Sequence, residues 1–204
     1  MVSVAIVGAG PSGCYTAQAL VKALPAAQID ILDRLPVPYG LVRYGVAPDH
    51  QGTKAVIRQF ERLFERQGVA FFGNVTVGDD IALDELRELY DAVVLSVGLA
   101  GDRRLGIPGE TLQGVHGSGA LTRSWNDHPD SEGFAPVIGQ DVVIIGNGNV
   151  AIDLVRLLAK RGDELDGSDL SAEHGRALGE GPPRRITIVG RSDAAAARFD
   201  PVML

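Results

Sequence analysis

The chain has 204 residues, 45% hydrophobic and 22% charged, a composition typical of a folded globular protein with room for one large domain or two small ones. A net charge of −7 and the lack of a Lys/Arg-rich patch argue against nucleic acid as a partner. The single cysteine, Cys14, excludes a disulfide framework and any cysteine-ligated metal or iron–sulfur cluster, so we expect no metal site. No apolar run approaches the ~18 residues that span a bilayer, and no charged, cleavable leader follows Met1. We therefore expect a cytoplasmic protein with no membrane partner.

Short apolar runs predict strands, and amphipathic patterns between them predict helices. The runs are continuous rather than alternating, which is typical of strands buried on both faces of a parallel sheet. They comprise residues 4–7, 29–32, 93–95, 142–145 and 186–189. A helix is predicted over 12–24, and Val150, Leu154, Leu157 and Leu158 form one apolar stripe that ends near Gly162. The order β-α-β therefore occurs twice.

The remaining segments are connections and further elements. Residues 36–50 are rich in Pro, Gly and Tyr without a period and predict a structured loop, followed by a helix over 53–67 and a strand over 69–72. A Gly-rich stretch over 99–119 marks a domain crossover, and the polar residues 162–183 predict a surface excursion rather than core. The predicted fold is α/β, with two Rossmann-like dinucleotide-binding domains, 1–104 and 105–204, both incomplete at their C-terminal ends.

The first glycine motif lies directly after the first strand and opens a helix. In Gly8-Ala9-Gly10-Pro11-Ser12-Gly13, the first glycine makes the tight turn, the second lets the backbone approach a pyrophosphate, and the third lets helix pack on strand. The helix N-terminus offers N–H groups to the diphosphate. An acidic residue is expected about 20 positions on, where it binds a ribose hydroxyl, and Asp33 follows Gly13 by 20. The alternative is a glycine turn that binds no ligand.

The second motif, Gly146-Asn147-Gly148-Asn149-Val150-Ala151, has the same context, with Ala in place of the last glycine. Arg191 follows Ala151 by 40 positions, and removing the 22 residues 162–183 restores a spacing of 18. An arginine at this strand end accommodates a 2′-phosphate and favours NADP over NAD. Asp193 weakens this assignment, and a merely solvated arginine is the alternative.

Two dinucleotide motifs in one chain imply two cofactors. An acid at the ribose suits the adenosine half of FAD, which places FAD at the first motif and a nicotinamide nucleotide at the second. Hydride transfer between them is then the reaction class. The loop at 36–50 is the natural candidate to hold the flavin ring.

Four segments together resemble one family. Residues 36–50, PVPYGLVRYGVAPDH, are similar to the PVPFGLVRFGVAPDH segment of adrenodoxin reductase and its bacterial relatives, the ferredoxin–NADP⁺ reductases of glutathione-reductase type. FGNVTVG at 72–78, IPGE at 107–110 and GNGNVAID at 146–153 resemble that family's FGNVxVG, IPGE and GxGNVALD. The matches run in order along essentially the whole chain.

The resemblance implies a function and roles for individual residues. It implies hydride transfer from NADPH to FAD and delivery of single electrons to a ferredoxin-type iron–sulfur protein. Ser12, Asp33, Leu41 and Val77 match residues that line the FAD site, and Asn147, Gly148, Asn149 and Val150 match the loop over the NADP pyrophosphate. His50 and Asp153 match polar residues near the flavin and are candidates for proton exchange at the ring. The alternatives are that His50 caps the following helix and that Asp153 is a supporting hydrogen-bond acceptor.

The chain also departs from the family. The arginine pair of GRRGP is replaced by Arg191 and Ser192, so one 2′-phosphate partner is lost, and a glutamate expected four residues after Phe199 is Met203. Family members are longer, and their C-terminal half completes the FAD domain. The remainder is therefore a separate companion chain or was removed, or the protein is a truncated, nucleotide-binding remnant without independent activity. A further alternative, the NADPH-oxidising module of a larger flavoenzyme such as the glutamate synthase small subunit, predicts iron–sulfur cysteines that the sequence does not contain.

Overall fold

The computed structural model describes residues 1–99, 101–134, 136–181, 183–191, 193, 196–197 and 199–200. Contacts divide the chain into unit 1, residues 1–46 and 52–100, and unit 2, residues 47–51 and 101–204. Within the described ranges, no helix is both long enough and apolar enough to cross a membrane. The elements are β1 Ser3–Val7, α1 Pro11–Ala23, β2 Gln28–Leu32, α2 Gly40–Tyr44, α3 Gln51–Lys54, α4 Ile57–Arg66, β3 Ala70–Phe72, α5 Leu83–Leu89, β4 Ala92–Leu95, α6 Ser118–Trp125, β5 Asp141–Ile145, α7 Asn149–Ala159, α8 Ala172–Glu180 and β6 Arg185–Val189, with 3₁₀ turns at Pro129–Ser131 and Gly162–Leu165.

Unit 1 is built on a four-stranded parallel sheet in the order β3-β2-β1-β4. Alternate residues of β1 enter two core clusters: Ile6 packs with Phe60 of α4, and Ala5 packs with Leu86 of α5. Ala5 and Ile6 are both 0% exposed, so β1 is buried on both faces. The continuous apolar run of β1 arises from this burial, whereas β2 includes the buried Asp30. The predicted α/β fold with parallel strands is confirmed.

Unit 2 contains the parallel pair β5–β6 and helix α7. Leu157 of α7 and Ile144 of β5 belong to its core cluster. The other side chains of β5 are different: Val143 is 61% and Ile145 56% exposed. The prediction that the strands are buried on both faces is therefore wrong for β5 within the described part of the chain. Val150, at the start of α7, belongs to the predicted apolar stripe but is 53% exposed.

Three predicted segments need correction. Residues 162–183 are not only a surface excursion, because Leu165 and Leu178, carried on the 3₁₀ turn and on α8, are 7% and 6% exposed in the core of unit 2. The loop at 36–50 contains the short helix α2. The helix predicted over 53–67 is divided into α3 and α4, because the N–H groups of Val56 and Arg58 donate to carbonyls three residues back and tighten the chain there.

Candidate functional site

The glycine turn of unit 1 connects β1 to α1, and its close packing explains its glycines. Gly8 has φ of +107°, and a Cβ there would meet the backbone carbonyl of Ser96, at the end of β4. A Cβ on Gly13 would meet the carbonyl oxygen of Gly8. Gly10 is the N-cap of α1 and has extended backbone, with no side-chain hydrogen bond capping the helix. The turn therefore presents backbone and an uncapped helix N-terminus to its surroundings.

Asp33 lies directly after β2 and fastens this turn. One carboxylate oxygen accepts a hydrogen bond from the Ala9 N–H at 2.7 Å, and the other accepts one from the Leu35 N–H at 2.9 Å. A carboxylate has about four acceptor sites, so these bonds leave capacity for a further donor. Contact with a ribose hydroxyl stays a prediction for Asp33, but the residue has a structural role that the motif did not indicate.

Sequence reasoning did not single out Tyr39 and Gly40, which dock the segment before α2 on the turn. The Tyr39 N–H donates to the Ala9 carbonyl at 2.8 Å, and Tyr39 has φ of +87°, which is uncommon for a residue other than glycine. Gly40 also has positive φ, and a Cβ on it would lie 2.8 Å from the Gly10 Cα. This approach brings Leu41, which is 67% exposed, to the same loop. A glycine directly before the predicted flavin residue was the available signal.

Val77 is positioned through the chain that follows β3. The Asp33 N–H donates to the Phe72 carbonyl at 2.9 Å, and the Val75 N–H donates to the Asp33 carbonyl at 3.0 Å. Val77 then bridges to Ile81 and packs against the cluster that contains Leu32. Ser12 is exposed in the first turn of α1. Of the predicted flavin residues of unit 1, Ser12 thus lies on α1, Leu41 lies on α2, which docks on the first glycine turn, and Val77 lies on a loop that is hydrogen-bonded to Asp33.

Cys14 packs beneath this turn. It is 0% exposed, and its thiol donates to the Ala9 carbonyl with an Sγ–O distance of 3.4 Å. Burial, and then the charge of Asp33, raise the pKa of the Cys14 thiol to about 12. The thiol therefore stays protonated at neutral pH and packs as a small apolar side chain.

The glycine turn of unit 2 connects β5 to α7. Gly146 has φ of +129° with open space where a side chain would project, and its N–H donates to the Val189 carbonyl at 2.9 Å. Gly148 is the uncapped N-cap of α7. The side chain of Asn147 lies against Gly190, where a Cβ would come within 2.8 Å of the amide nitrogen. Because β5 and β6 are parallel, Arg191, exposed just beyond β6, lies at the same sheet edge as the turn.

The other predicted residues of this loop differ in their surroundings. The side-chain oxygen of Asn149 accepts a hydrogen bond from the Asp200 N–H at 2.9 Å, so it orders the chain beyond β6. Ser192 and Met203 lie outside the described residues.

The two candidate catalytic residues come together in unit 2. The Nδ1 atom of His50 lies 3.9 Å from the Oδ1 atom of Asp153, and that oxygen accepts a hydrogen bond from Arg156 at 2.7 Å. Arg156 also binds Asp49, to which Lys160 donates as well. Asp153 is therefore a hydrogen-bond acceptor, which agrees with the alternative that it has a supporting role. It also lies next to His50, which agrees with the proton-exchange hypothesis. The roles of both residues stay predictions.

Within the described ranges, no group of three or more His, Cys, Asp or Glu side chains is arranged to hold a metal ion. A cavity of about 790 Å³ lies between the end of α6, the turn at Pro129–Ser131 and α8, and none of the predicted site residues lines it.

Comparisons with known proteins place this geometry in a family. The model of the family described as pyridine nucleotide-disulphide oxidoreductase matches residues 2–203. The chain is 56% identical over 202 residues to cindoxin reductase of Citrobacter braakii, covering 99% of the chain and 44% of that protein. It is 45% identical over 190 residues to the mitochondrial NADPH:adrenodoxin oxidoreductase of Arabidopsis thaliana, covering 92% and 39%.

A solved structure agrees closely with the fold. Mycobacterium tuberculosis FprA in complex with NADPH superposes with a TM-score of 0.93 at 40% identity, covering 99% of this chain and 46% of that one. The resemblance to adrenodoxin reductase and its bacterial relatives is thereby confirmed. The chain spans less than half the length of each of these three proteins.

Proposed function

The chain belongs to the pyridine nucleotide-disulphide oxidoreductase family, and from this premise we propose that it is the N-terminal portion of a flavoprotein that transfers hydride from NADPH to FAD. One observation carries the proposal: each unit contains a parallel strand, a glycine turn and a helix whose N-terminus no side chain caps. Two such turns suit two dinucleotides, because each offers backbone N–H groups and a partial positive charge to a diphosphate.

We assign FAD to unit 1. The residues fit its diphosphate, since Gly8 and Gly13 leave no room for side chains and Gly10 faces only the Cα of Gly40. Asp33 stands beside the turn with acceptor capacity for a ribose hydroxyl. Ser12 lies in the first turn of α1, Leu41 lies on α2, and Val77 lies on the loop after β3. When bound, the flavin supplies both hydride and single-electron chemistry, which the protein side chains lack.

We assign the nicotinamide nucleotide to unit 2, with residues 146–150 over its diphosphate. Arg191 lies at the sheet edge beside this turn and is exposed, so it can bind a 2′-phosphate through a charge-assisted pair. This favours NADPH over NADH. Ser192 supplies a hydroxyl where the resembling family has a second arginine.

The electron acceptor is a ferredoxin-type iron–sulfur protein in this proposal. Its support is the sequence identity of the chain to NADPH:adrenodoxin oxidoreductases. A C-terminal companion chain that completes both units and a cytoplasmic location are also parts of the proposal.

The test is to reconstitute the purified chain with FAD, remove free flavin, and mix it anaerobically with NADPH. We expect a flavin visible spectrum that is bleached within seconds and restored by an oxidised ferredoxin, with a much slower bleaching by NADH. NADH and NADPH differ only in the 2′-phosphate, so this pair is the matched control for Arg191.

Each contrary outcome removes a defined part of the proposal. No flavin binding, alone or with the remainder of a full-length relative, rejects the FAD assignment. Dinucleotide binding without bleaching supports the alternative of a nucleotide-binding remnant. A preference for NADH rejects the role of Arg191.

A further inference from the structure

A cluster of two carboxylates and two cations stands next to His50, and none of its four members belongs to either glycine motif. Asp49 directly precedes His50 in the chain. Asp153 and Arg156 lie on α7, and Lys160 is the C-cap residue of that helix. Arg156 donates to both Asp49 oxygens, at 2.7 and 2.8 Å, and to Asp153 at 2.7 Å. Lys160 donates to Asp49 at 2.7 Å. One guanidinium therefore links the segment that carries His50 to the carboxylate that His50 faces.

Only an arginine can make this link. The side chain of Asp49 is 4% exposed, so both of its oxygens need donors. A planar guanidinium presents several N–H groups in fixed directions and can bind two carboxylates at once, whereas an ammonium is a single point charge. Burial alone would raise the pKa of Asp49, but the hydrogen bonds from Arg156 and Lys160 outweigh it and hold that pKa below its ordinary range. Hydrogen bonds to Asp49 and Asp153 raise the pKa of Arg156.

The charges of the cluster balance. Two carboxylates and two cations sum to zero, and the Asp153 oxygen that lies 3.9 Å from His50 is the one bound by Arg156. An uncompensated carboxylate at this distance would bind a protonated imidazole and retain its proton. Asp169 is a further charged group near the segment: its N–H donates to the Pro48 carbonyl at 2.9 Å, and its carboxylate accepts a hydrogen bond from Gln51 at 3.1 Å.

We propose that Arg156 is a positioning residue that orients and neutralises Asp153, so that the His50 imidazole can both take up and release a proton. The inference rests on the proposed function, since the reduced flavin releases a proton when its electrons pass to the electron acceptor. Histidine suits this exchange because its ordinary titration lies between pH 5 and 8. Arg156 keeps Asp153 from turning the imidazole into a permanent ion-pair partner.

The first experiment measures the pH titration of His50 by NMR in the chain without FAD or NADPH. The chain has four histidines, and His50→Gln identifies the His50 signal. In Arg156→Gln we expect the His50 midpoint to rise by about one pH unit, because a carboxylate that has lost its cation then faces the imidazole. Lys160→Gln is the matched control: it removes the same charge from the same helix end but contacts Asp49 and not Asp153. Its midpoint is expected to stay at the wild-type value.

Two further variants keep the test decisive if Arg156→Gln does not fold. Arg156→Lys retains a cation for buried Asp49, but one ammonium cannot serve both carboxylates, so a smaller rise is expected. In Arg156→Lys combined with Asp153→Asn, the rise is expected to disappear. An unchanged midpoint in a folded Arg156 variant, an equal rise in Lys160→Gln, or a rise that survives Asp153→Asn overturns the proposal.

The second experiment separates this inference from the proposed function. In the flavin-loaded protein, the pH profile for reoxidation of the NADPH-reduced flavin by an oxidised ferredoxin is expected to move to higher pH in Arg156→Lys by the same interval as the His50 midpoint. A midpoint that moves while the profile does not overturns the role of Arg156 in proton exchange but leaves flavin reduction established. A chain that never reduces flavin rejects the proposed function, while the NMR titration still shows whether Arg156 controls the pair.

Discussion

Both units contain a strand, a glycine turn and a helix, but they surround the turn differently. In unit 1, Gly8 packs against the Ser96 carbonyl, and the Asp33 carboxylate accepts two backbone hydrogen bonds beside it. In unit 2, a side chain at Gly146 would meet open space, and Ile145 just before it is 56% exposed. The first turn is held by packing on several sides, whereas the second is held mainly by the backbone of its own strand pair.

This difference separates two reasons for a glycine. Gly8 is required because its backbone angle disfavours other residues and because no space exists for a side chain. Gly146 is required for its backbone angle alone. A sequence motif shows the same letter in both places, so it cannot distinguish them.

The largest expected effect follows from this pair. Gly8→Ala forces a methyl group against backbone and adds strain at positive φ, so we expect a loss of more than about 4 kcal/mol, or failure to fold. Gly146→Ala is the matched control with strain only, for which we expect about 1–3 kcal/mol. For a unit of roughly 100 residues, each kcal/mol lowers Tm by about 4–8 °C, so thermal melts followed by circular dichroism resolve the difference. Equal losses would show that the packing around Gly8 relaxes and that the two turns are equivalent.

A smaller effect is expected for the side chains that fasten the turns. Asp33→Ala leaves the Ala9 and Leu35 N–H groups without their charged acceptor, which costs about 2–3 kcal/mol. The counterpart in unit 2 is Asn149→Ala, which removes one exposed neutral hydrogen bond from the Asp200 N–H and costs less than about 1 kcal/mol. Urea unfolding measures both, provided that the slope with denaturant stays constant. If Asn149→Ala costs as much as Asp33→Ala, the second turn is fastened as firmly as the first.

The strands could be predicted from the sequence, but their exposure could not. Residues 4–7 and 142–145 are both short apolar runs with the same sequence pattern. Ile6 is 0% exposed, whereas Ile145 is 56% exposed. The run specifies an extended backbone with apolar side chains, while burial depends on which elements pack on each face, and those elements lie far away in the sequence. The same reason explains why the polar segment 162–183 contributes Leu165 and Leu178 to a core.

The site was predictable where its signal is local. The glycine turns and Asp33 could be placed because a tight turn and a close helix impose residue types at fixed spacing. The ion pair between Asp49 and Arg156 joins residues 107 positions apart and leaves no local pattern. The positive φ of Tyr39 is a local feature, but it could not be predicted either, since nothing in a tyrosine indicates that its backbone is left-handed.

The smallest expected effect is a difference in pH dependence, because the two units hold their shifted groups at opposite ends of the pH scale. In unit 1, burial raises the pKa values of Cys14 and Tyr90 to about 12. The charge of Asp33 contributes second for Cys14, and the hydrogen bond to Asp30 contributes second for Tyr90. When folding raises the pKa of a neutral acid, the stabilisation is present at pH below the ordinary pKa. It is lost as pH rises towards and through the pKa of the folded state. In unit 2, the pKa of Asp49 is lowered, so Asp49 stabilises the fold at pH above its ordinary pKa of about 4. This stabilisation is lost as pH falls below that value.

We therefore expect unit 1 to lose about 1 kcal/mol through Cys14 as pH rises from 8 to 10, with most of the loss through Tyr90 following above pH 10. Unit 2 is expected to lose stability as pH falls from 5 to 3. Trp125, the single tryptophan, is buried in unit 2 and reports its unfolding by fluorescence. Amide hydrogen exchange in β1 reports unit 1. Cys14→Ala should reduce the alkaline loss in β1, and Asp49→Asn should reduce the acid loss seen by Trp125. Trp125 fluorescence and hydrogen exchange in β1 could instead both report unfolding at both ends of the pH range. The units would then unfold as one, and the contrast between them would be confined to their local structure.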